Sequence, residues 1–403
     1  MGFTRNIGDR TSSYDIADSD STINLAKSDA INVTNNSGII QTPDFNSDAI
    51  DVEGEIHVTN GSGLLIRGMG NTITAGFDSV ITGNIGLWLD NGTPSSVFDS
   101  NTLVTKGQIV ATVDGIRNES LGTSILNIGT LDAENAVVGL TYGLTLINAE
   151  FAKIDGDTSI DLSGVTDGSQ MSRITNNGAI SGTIVGGDER EIITNHGTIS
   201  GNVLLADGQD VFDNRGGTVD GLIEGGAGND IYFIDNADAN LIEDATGGAN
   251  DAVHSTVSFT LGANFESLFL LGSAKISAIG NAEGNSLFGN RGNNILKGLS
   301  GDDALSGGKG NDALFGGAGA DEFEFDKGTG HDTIRDFTAN GKGHDIINLS
   351  NFLEIGDLSN LKKHYLEEHH RDVLINLGHG DVITLEDTTI TDLQAADFRF
   401  AND

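Results

Sequence analysis

The chain has no cysteine, two prolines and one tryptophan, and aromatic residues make up only 6% of its 403 positions. No disulfide is available, so a fold exported to an oxidising compartment needs another staple, a role bound metal ions can fill. With two prolines there is no proline-rich linker, and 57 glycines without a Gly-X-Y period exclude collagen. Cationic residues are scarce: 21 Lys and Arg stand against 59 Asp and Glu, a formal net charge of −38. A chain this acidic is repelled by nucleic acid and by anionic membranes, and cations are its natural partners. No apolar run is long enough to insert in a membrane, and residues 1–31 hold none suited to a secretory signal. Gly2 is followed by Asn6 where a myristoylation site requires Ser or Thr.

What is present is repetition. Over residues 280–324 glycines recur every nine positions at Gly280, Gly289, Gly298, Gly307 and Gly316, and a second series runs through Gly292, Gly301, Gly310 and Gly319. Asn285, Asn294, Asp303, Asp312 and Asp321 keep the same step, as do Leu287, Leu296, Leu305, Leu314 and Phe323. Glu283 interrupts the second glycine series in the first copy. A longer repeat lies upstream: Asn176-Asn177-Gly178-Ala179-Ile180-Ser181-Gly182 returns as Asn195-His196-Gly197-Thr198-Ile199-Ser200-Gly201 and again around Val219. A step of 19 or 20 residues (Ile180 to Ile199 to Val219) suits one coil of a β-helix, with Asn-Gly turns and inward Ile or Val stacked from coil to coil. Before that, short β-prone runs around Ile31, Ile56, Ile73, Ile81, Leu87, Val110, Leu126, Leu146 and Ile160 are separated by Gly, Asn or Asp. Helical periodicity is confined to residues 358–368.

The repeat follows the pattern G-G-x-G-x-D-x-U-x, with U a large apolar residue. Gly225-Gly226-Ala227-Gly228-Asn229-Asp230-Ile231-Tyr232-Phe233 matches it best; the nonapeptides opening at Gly307-Gly308 and at Gly316-Gly317 match as well. The glycines permit positive φ and let carbonyls approach a cation closely. The Asp supplies a hard anionic oxygen of the kind Ca²⁺ takes. The x-U-x stretch is a short strand that drops U into the core.

These residues resemble the RTX (repeats-in-toxin) family. The resemblance implies a parallel β-roll in which two nonapeptides make one coil and Ca²⁺ lies between turns of one edge. It pairs Asn285 with Asp303, Asn294 with Asp312 and Asp303 with Asp321, each 18 apart. The Asn-containing pairs carry less charge and are expected to bind more weakly. Residues 230–280 resemble an RTX spacer. Downstream, Gly328 to Phe337 and Gly343 to Leu349 resemble the C-terminal part of serralysin-type proteins, which adds Asp332, Asp336 and Asp345 as candidate ligands. The tail Asp397-Phe398-Arg399-Phe400 looks like the apolar ending of type I secretion substrates, or a plain capping strand. Residues 1–205 resemble autotransporter-like β-helices in grammar alone.

The expected fold is all-β: a parallel β-solenoid with a β-helix over residues 1–205, a calcium-binding region over 206–325 (spacer 231–279, nonapeptide roll 280–324) and a cap over 326–403. The candidate metal set is Gly225, Gly226, Gly228, Asp230, Asn285, Gly292, Asn294, Gly301, Asp303, Gly307, Gly308, Gly310, Asp312, Gly316, Gly317, Gly319, Asp321, Asp332, Asp336 and Asp345, for several Ca²⁺ ions. The chain has no H-E-x-x-H, no G-x-S-x-G and no phosphate loop at Gly307-Gly308-Lys309-Gly310. His364, Glu367, Glu368, His369 and His370 cluster in the wrong order for zinc. Asp155, Asp157, Asp161 and Arg173 are the nearest approach to a polysaccharide-processing site. The functional expectation is a secreted structural protein of a Gram-negative cell surface or matrix. It would leave through type I secretion machinery, fold on Ca²⁺, associate with copies of itself and contact surface polysaccharide. The alternative is an extracellular lyase or epimerase built on the β-helix.

Overall fold

The computed structural model describes residues 171–339, 341, and 343–401 without further gaps. Upstream it describes strand segments and their neighbours between residues 3 and 166, leaving out among others 8–13, 91–100 and 167–170; of residues 1–49 only strand backbones are described. The chain forms two compact units, Met1–Gly228 and Asn229–Asp403, and the division falls within the Gly225-to-Phe233 motif. Among the described residues no helix is long and apolar enough to cross a membrane.

The first unit is a three-sided parallel β-helix. One face stacks Phe3–Ile7, Ser21–Leu25, Ala49–Val52, Thr72–Ala75, Thr102–Thr105, Ser124–Asn127, Thr145–Asn148, Ser172–Asn176, Glu191–Asn195 and Val211–Asp213, each parallel to the next. The long strands Val80–Asp90 and Gln108–Asn118 bend at a register shift between Gly83 and Ile85 and so contribute to both other faces. The alternation read from the sequence turns every second residue inward. On the first face Ile50, Ile73, Leu103, Ile125, Leu146, Ile174, Ile193 and Phe212 lie directly over one another. Ile56, Ile81, Ile109, Leu131, Ile154, Ile180 and Ile199 form the second buried column. Leu64, Leu87, Ile116, Val137, Ile160, Ile184 and Val203 form the third. Each such side chain is stabilised by about 1.5–3 kcal/mol on burial, and like stacked on like leaves few voids.

At one corner the polar groups are stacked too. Asn127, Asn148, Asn176, Asn195 and Asn214 form a buried ladder in which each amide Nδ2 donates to the next Oδ1 at 2.7–2.8 Å. The same nitrogens also donate to the backbone carbonyls of Lys153, Ala179, Thr198 and Thr218. The oxygens of Asn127, Asn176 and Asn195 accept the N–H of Gly129, Gly178 and Gly197, which makes the Asn-x-Gly turn.

The second unit is a two-sided roll. One face stacks Ile231–Ile234, Ala252–Ser255, Ser267–Leu270, Ser286–Phe288, Ala304–Ser306, Glu322–Glu324, Ile346–Asn348 and Phe398–Arg399. The other stacks Phe259–Thr260, Ser277–Ile279, Ile295–Ser300, Ala313–Ala318, His331–Ile334 and Asp381–Leu385. The eighth-position residues fill the interior: Leu287, Leu305 and Phe323 on one face, Leu296 and Leu314 on the other. Residues 231–279, read as a spacer, are wound into the same coils. Outside the roll Phe233, His254, Phe269 and Phe288 stack ring on ring at 4.5–4.8 Å, one per coil.

The roll ends in antiparallel structure. A helix, Leu358–His364, is capped by Asp357, whose Oδ1 accepts the Asn360 N–H at 2.7 Å. It is shorter than the sequence suggested: Leu366–His369 turns at His370 (φ +64°) and pairs with Asp372–Gly378 instead. The alternation of Asp372–Gly378, which buries Val373, Ile375 and Leu377, favours a strand partner there over a further helical turn. Phe398–Arg399 adds a final strand beside Ile347 and Asn348, and Phe398 and Phe400 are buried. The sheet edge is thereby covered.

The Asn ladder yields a test. Asn176→Ala strands the amide of Asn148 and the N–H of Gly178 in the interior and should lower stability by about 1–3 kcal/mol. The outward neighbour Thr175→Ala should change it by less than about 0.5 kcal/mol. Urea unfolding in excess calcium measures both, and equal midpoints would count against the ladder.

Candidate metal centre

The nonapeptide turn is built from glycines with two separate duties. Second- and fourth-position glycines take left-handed backbone: Gly308 and Gly317 at φ +83° and +102°, Gly301, Gly310 and Gly319 at +110° to +154°. First-position glycines are there for space. A Cβ on Gly298, Gly307 or Gly316 would strike Oδ2 of Asp303, Asp312 or Asp321, the carboxylate five residues on in the same turn. Gly292, by contrast, has no positive φ; a Cβ there would meet the carbonyl oxygens of Ser273 and Ala274.

The sixth-position side chains tuck under these turns and are buried. Each ties its coil to the preceding one. Oδ1 of Asp303 accepts the Asn285 N–H at 2.7 Å, Oδ1 of Asp312 that of Asn294 at 2.7 Å, and Oδ1 of Asp321 that of Asp303 at 3.0 Å. The two edges continue past the array, with Asp332 accepting from Asp312 at 2.9 Å and Asp345 from Asp321 at 3.1 Å. The pairs spaced 18 apart in the sequence therefore sit in adjacent coils.

The second oxygen distinguishes the acids. Oδ2 of Asp303, Asp312 and Asp321 is buried with no hydrogen-bond partner. Oδ2 of Asp345 accepts the Thr338 N–H, and Asp336 uses both oxygens on the N–H groups of Gly316 and Gly317. Asn285 and Asn294 have oxygens that accept from Asn281 and Asn290, and amides that donate to the carbonyls of Phe265 and Ile276. The three interior acids are thus the ones that fit a cation best. A buried anionic oxygen without a donor is costly unless a cation meets it, and Ca²⁺ takes such ligands.

Burial, with Asp321 and Asp302 nearby, pushes Asp303 up to about 7. Burial also raises Asp312 to about 6, Asp332 to about 7 and Asp345 to about 6, and moves Asp321 and Asp336 upward.

The Gly225-to-Asp230 match is divided between the units. Gly226 and Gly228 have φ of +96° and +148°. Asp230 is the second residue of the second unit, and its N–H donates to Asp251 Oδ1 at 2.7 Å. Sequence reasoning passed over Asp251, Glu243, Glu266, Asp381, Glu191 and Asp210. Asp251 N–H donates to Glu266 Oε2, Asp381 accepts from Gly328 and Gly330, and in the first unit Glu191 N–H donates to Asp210 Oδ1. One signal finds most of them: like Asp303 before Leu305, Asp251 stands two residues before inward Val253, Glu266 before Leu268, and Asp210 before Phe212.

Other candidates are not brought together. Asp155 and Asp161 end strands on two faces of the β-helix, while Arg173 lies on the third, its guanidinium against Met171. His364 ends the helix, Glu367, Glu368 and His369 are exposed on the following strand, and the rings of His369 and His370 touch.

Residues 279–314, 288–323 and 298–334 match the RTX calcium-binding nonapeptide repeat, a model of four copies. The chain therefore carries RTX repeats and is calcium-binding through them. No curated protein matches it. Among solved structures, the extracellular lipase LipA from Serratia marcescens is similar at 18% identity and a TM-score of 0.19 over 60% of this chain. This chain spans 45% of the lipase, less than half its length.

Two outcomes follow from the geometry. Folded-state acids at about 6 to 7 lie above their unfolded value of about 4, so they add stability at low pH that is lost as pH rises through that window. In chelator the melting temperature of the second unit should fall between about pH 5 and about pH 8, and excess calcium, which binds the ionised form, should cancel the fall. Scanning calorimetry reads this, and a chelated protein equally stable at both pH values would refute the buried ladder. Separately, Leu299 stands at a second position and is held at φ +85° with its side chain 47% exposed. Leu299→Gly should raise stability in calcium by about 0.5–1 kcal/mol, the left-handed penalty less the entropy of glycine. An unchanged or lowered denaturation midpoint would show that the strain is absent.

Proposed function

We propose that the chain is a secreted, non-enzymatic structural protein of a Gram-negative cell surface or extracellular matrix that folds on Ca²⁺ outside the cell and then associates with copies of itself. The observation that carries the reading is an outward apolar column on the first unit. Val104, Leu126 and Ile147 are aligned in register across three consecutive coils. Ile147 is 39% exposed, and at the next turn Phe151 is held at φ +69° with 88% of its surface exposed. A regular sheet face with an apolar stripe suits side-to-side contact between identical coils. The charge of −38 opposes that contact until cations neutralise part of it. The separation of Arg173 from Asp155 and Asp161 favours this reading over a polysaccharide lyase or epimerase. Export by type I machinery and contact with surface polysaccharide belong to the same proposal.

Light scattering and negative-stain imaging across calcium, magnesium and sodium series test it. Ordered assemblies are expected in millimolar calcium and not in sodium at equal ionic strength, since screening does not fill oxygen-coordinated sites. The double variant Ile147→Lys, Phe151→Ser should stay monodisperse while keeping its calcium-induced circular dichroism. A wild-type chain that stays monodisperse in calcium at high concentration overturns the proposal.

A further inference from the structure

We propose that Asp230, Glu243 and Asp251 form a Ca²⁺ site of their own, outside residues 279–334 that match the repeat. One carboxylate oxygen from each lies within 4.8 Å of the other two, and the residues are 0%, 4% and 1% exposed. Two of the three come from one edge of the roll. Asp230 immediately precedes Ile231–Ile234, Asp251 immediately precedes Ala252–Ser255, and Ile231 is in register with Ala252. Glu243 arrives from elsewhere, in the turn after Leu241–Ile242, a segment with no nonapeptide grammar.

Hydrogen bonds hold these residues in place, and at Asp251 they leave one oxygen over. Asp251 Oδ1 accepts the Asp230 N–H at 2.7 Å, while Asp251 Oδ2 is buried with no hydrogen-bond partner. The Tyr232 hydroxyl donates to Glu243 Oε1, and the Glu243 carbonyl accepts from Asn264 Nδ2 at 2.9 Å. Tyr232 is itself fixed edge-on against Phe265, with ring centroids 5.6 Å apart. Gathering three buried carboxylates this closely is strongly unfavourable without positive charge between them. The donors are all oxygen and anionic, with no His or Cys, which selects a hard divalent ion such as Ca²⁺ over Zn²⁺. Burial pushes Asp251 up to about 6, in keeping with a group that gains from a nearby cation. The site differs from the array sites in taking one ligand from a loop off the motif and in having a tyrosine at its wall. It does not depend on whether the chain assembles.

The tyrosine supplies the test. Terbium binds oxygen sites of this kind and emits when a neighbouring tyrosine is excited. The full chain is loaded with Tb³⁺ and excited at the tyrosine band, and bound Ca²⁺ per chain is counted by equilibrium dialysis with elemental analysis. Tyr232→Phe is expected to keep the calcium count and lose most of the sensitised emission. Glu243→Gln is expected to lose one calcium per chain together with that emission. Asp312→Asn, in the array, is expected to lose calcium but keep the emission. An unchanged calcium count in Glu243→Gln overturns the site. So does full emission in Tyr232→Phe, a variant that removes one hydroxyl and disturbs the packing least. If the three acids merely share protons, Glu243→Gln will melt higher in chelator and titrate with calcium like the parent, which also overturns it.

Discussion

The second unit depends on a carboxylate turned inward under a turn, with one oxygen bound to the N–H of the neighbouring coil. That bond sets the coil-to-coil register, as between Asn285 and Asp303 or Asp303 and Asp321. It also explains the residues around it. The first-position glycine is needed because any side chain would strike the tucked carboxylate, and the second and fourth because the turn enters left-handed backbone. An acid so placed has spent one oxygen on structure and keeps the other buried. A cation bound there would be a structural part of the turn, in the place a hydrogen-bond donor would otherwise take.

The first unit meets the same demand with a neutral group. Its corner ladder of Asn127, Asn148, Asn176, Asn195 and Asn214 uses amides, which both donate and accept. Each amide satisfies the next, so the ladder extends over any number of coils without an ion. A carboxylate only accepts, so a column of them cannot satisfy itself. The amide ladder itself therefore needs no ion, although the coils of Asn195 and Asn214 also hold a buried acid step of the nonapeptide kind, in which Asp210 accepts the Glu191 N–H.

Much of this could be read from the sequence because the turns constrain it so tightly. A step of nine with Gly and Asp at set positions survives only where backbone and metal geometry demand it, and Leu305 and Leu314 fell where the pattern put them. The step from Ile180 to Ile199 to Val219 gave the coil length for the same reason. Other features left no such trace. The three-sided cross-section is hidden because faces are made of strands as short as Ala179–Ile180 and Thr198–Ile199. Upstream coils vary in length, so Ile73 meets Leu103 while Leu103 meets Ile125. Glu243 lay outside any motif, and Asp251 follows Gly247-Gly248 with the turn one residue short. Residues 358–368 looked helical to their end because nothing local announces that Leu366–His369 will find a strand partner in Asp372–Gly378.

A column of acids must also end somewhere, and its ends differ from its middle. Upstream, Asn285 and Asn294 replace the acid, and their amides donate to the carbonyls of the coil before. Downstream, Asp345 and Asp381 remain acids, but each receives two backbone N–H groups, from Asp321 and Thr338 and from Gly328 and Gly330. Between these ends Asp303, Asp312 and Asp321 keep a bare oxygen. The nonapeptide array is thus closed at both ends by hydrogen bonds, and the acids of the earlier coils, Asp230, Asp251 and Glu266, stand apart from it. Within the array the unmet carboxylate oxygens are concentrated where a coil lies on both sides, where an ion would tie neighbouring coils together and be best shielded from water.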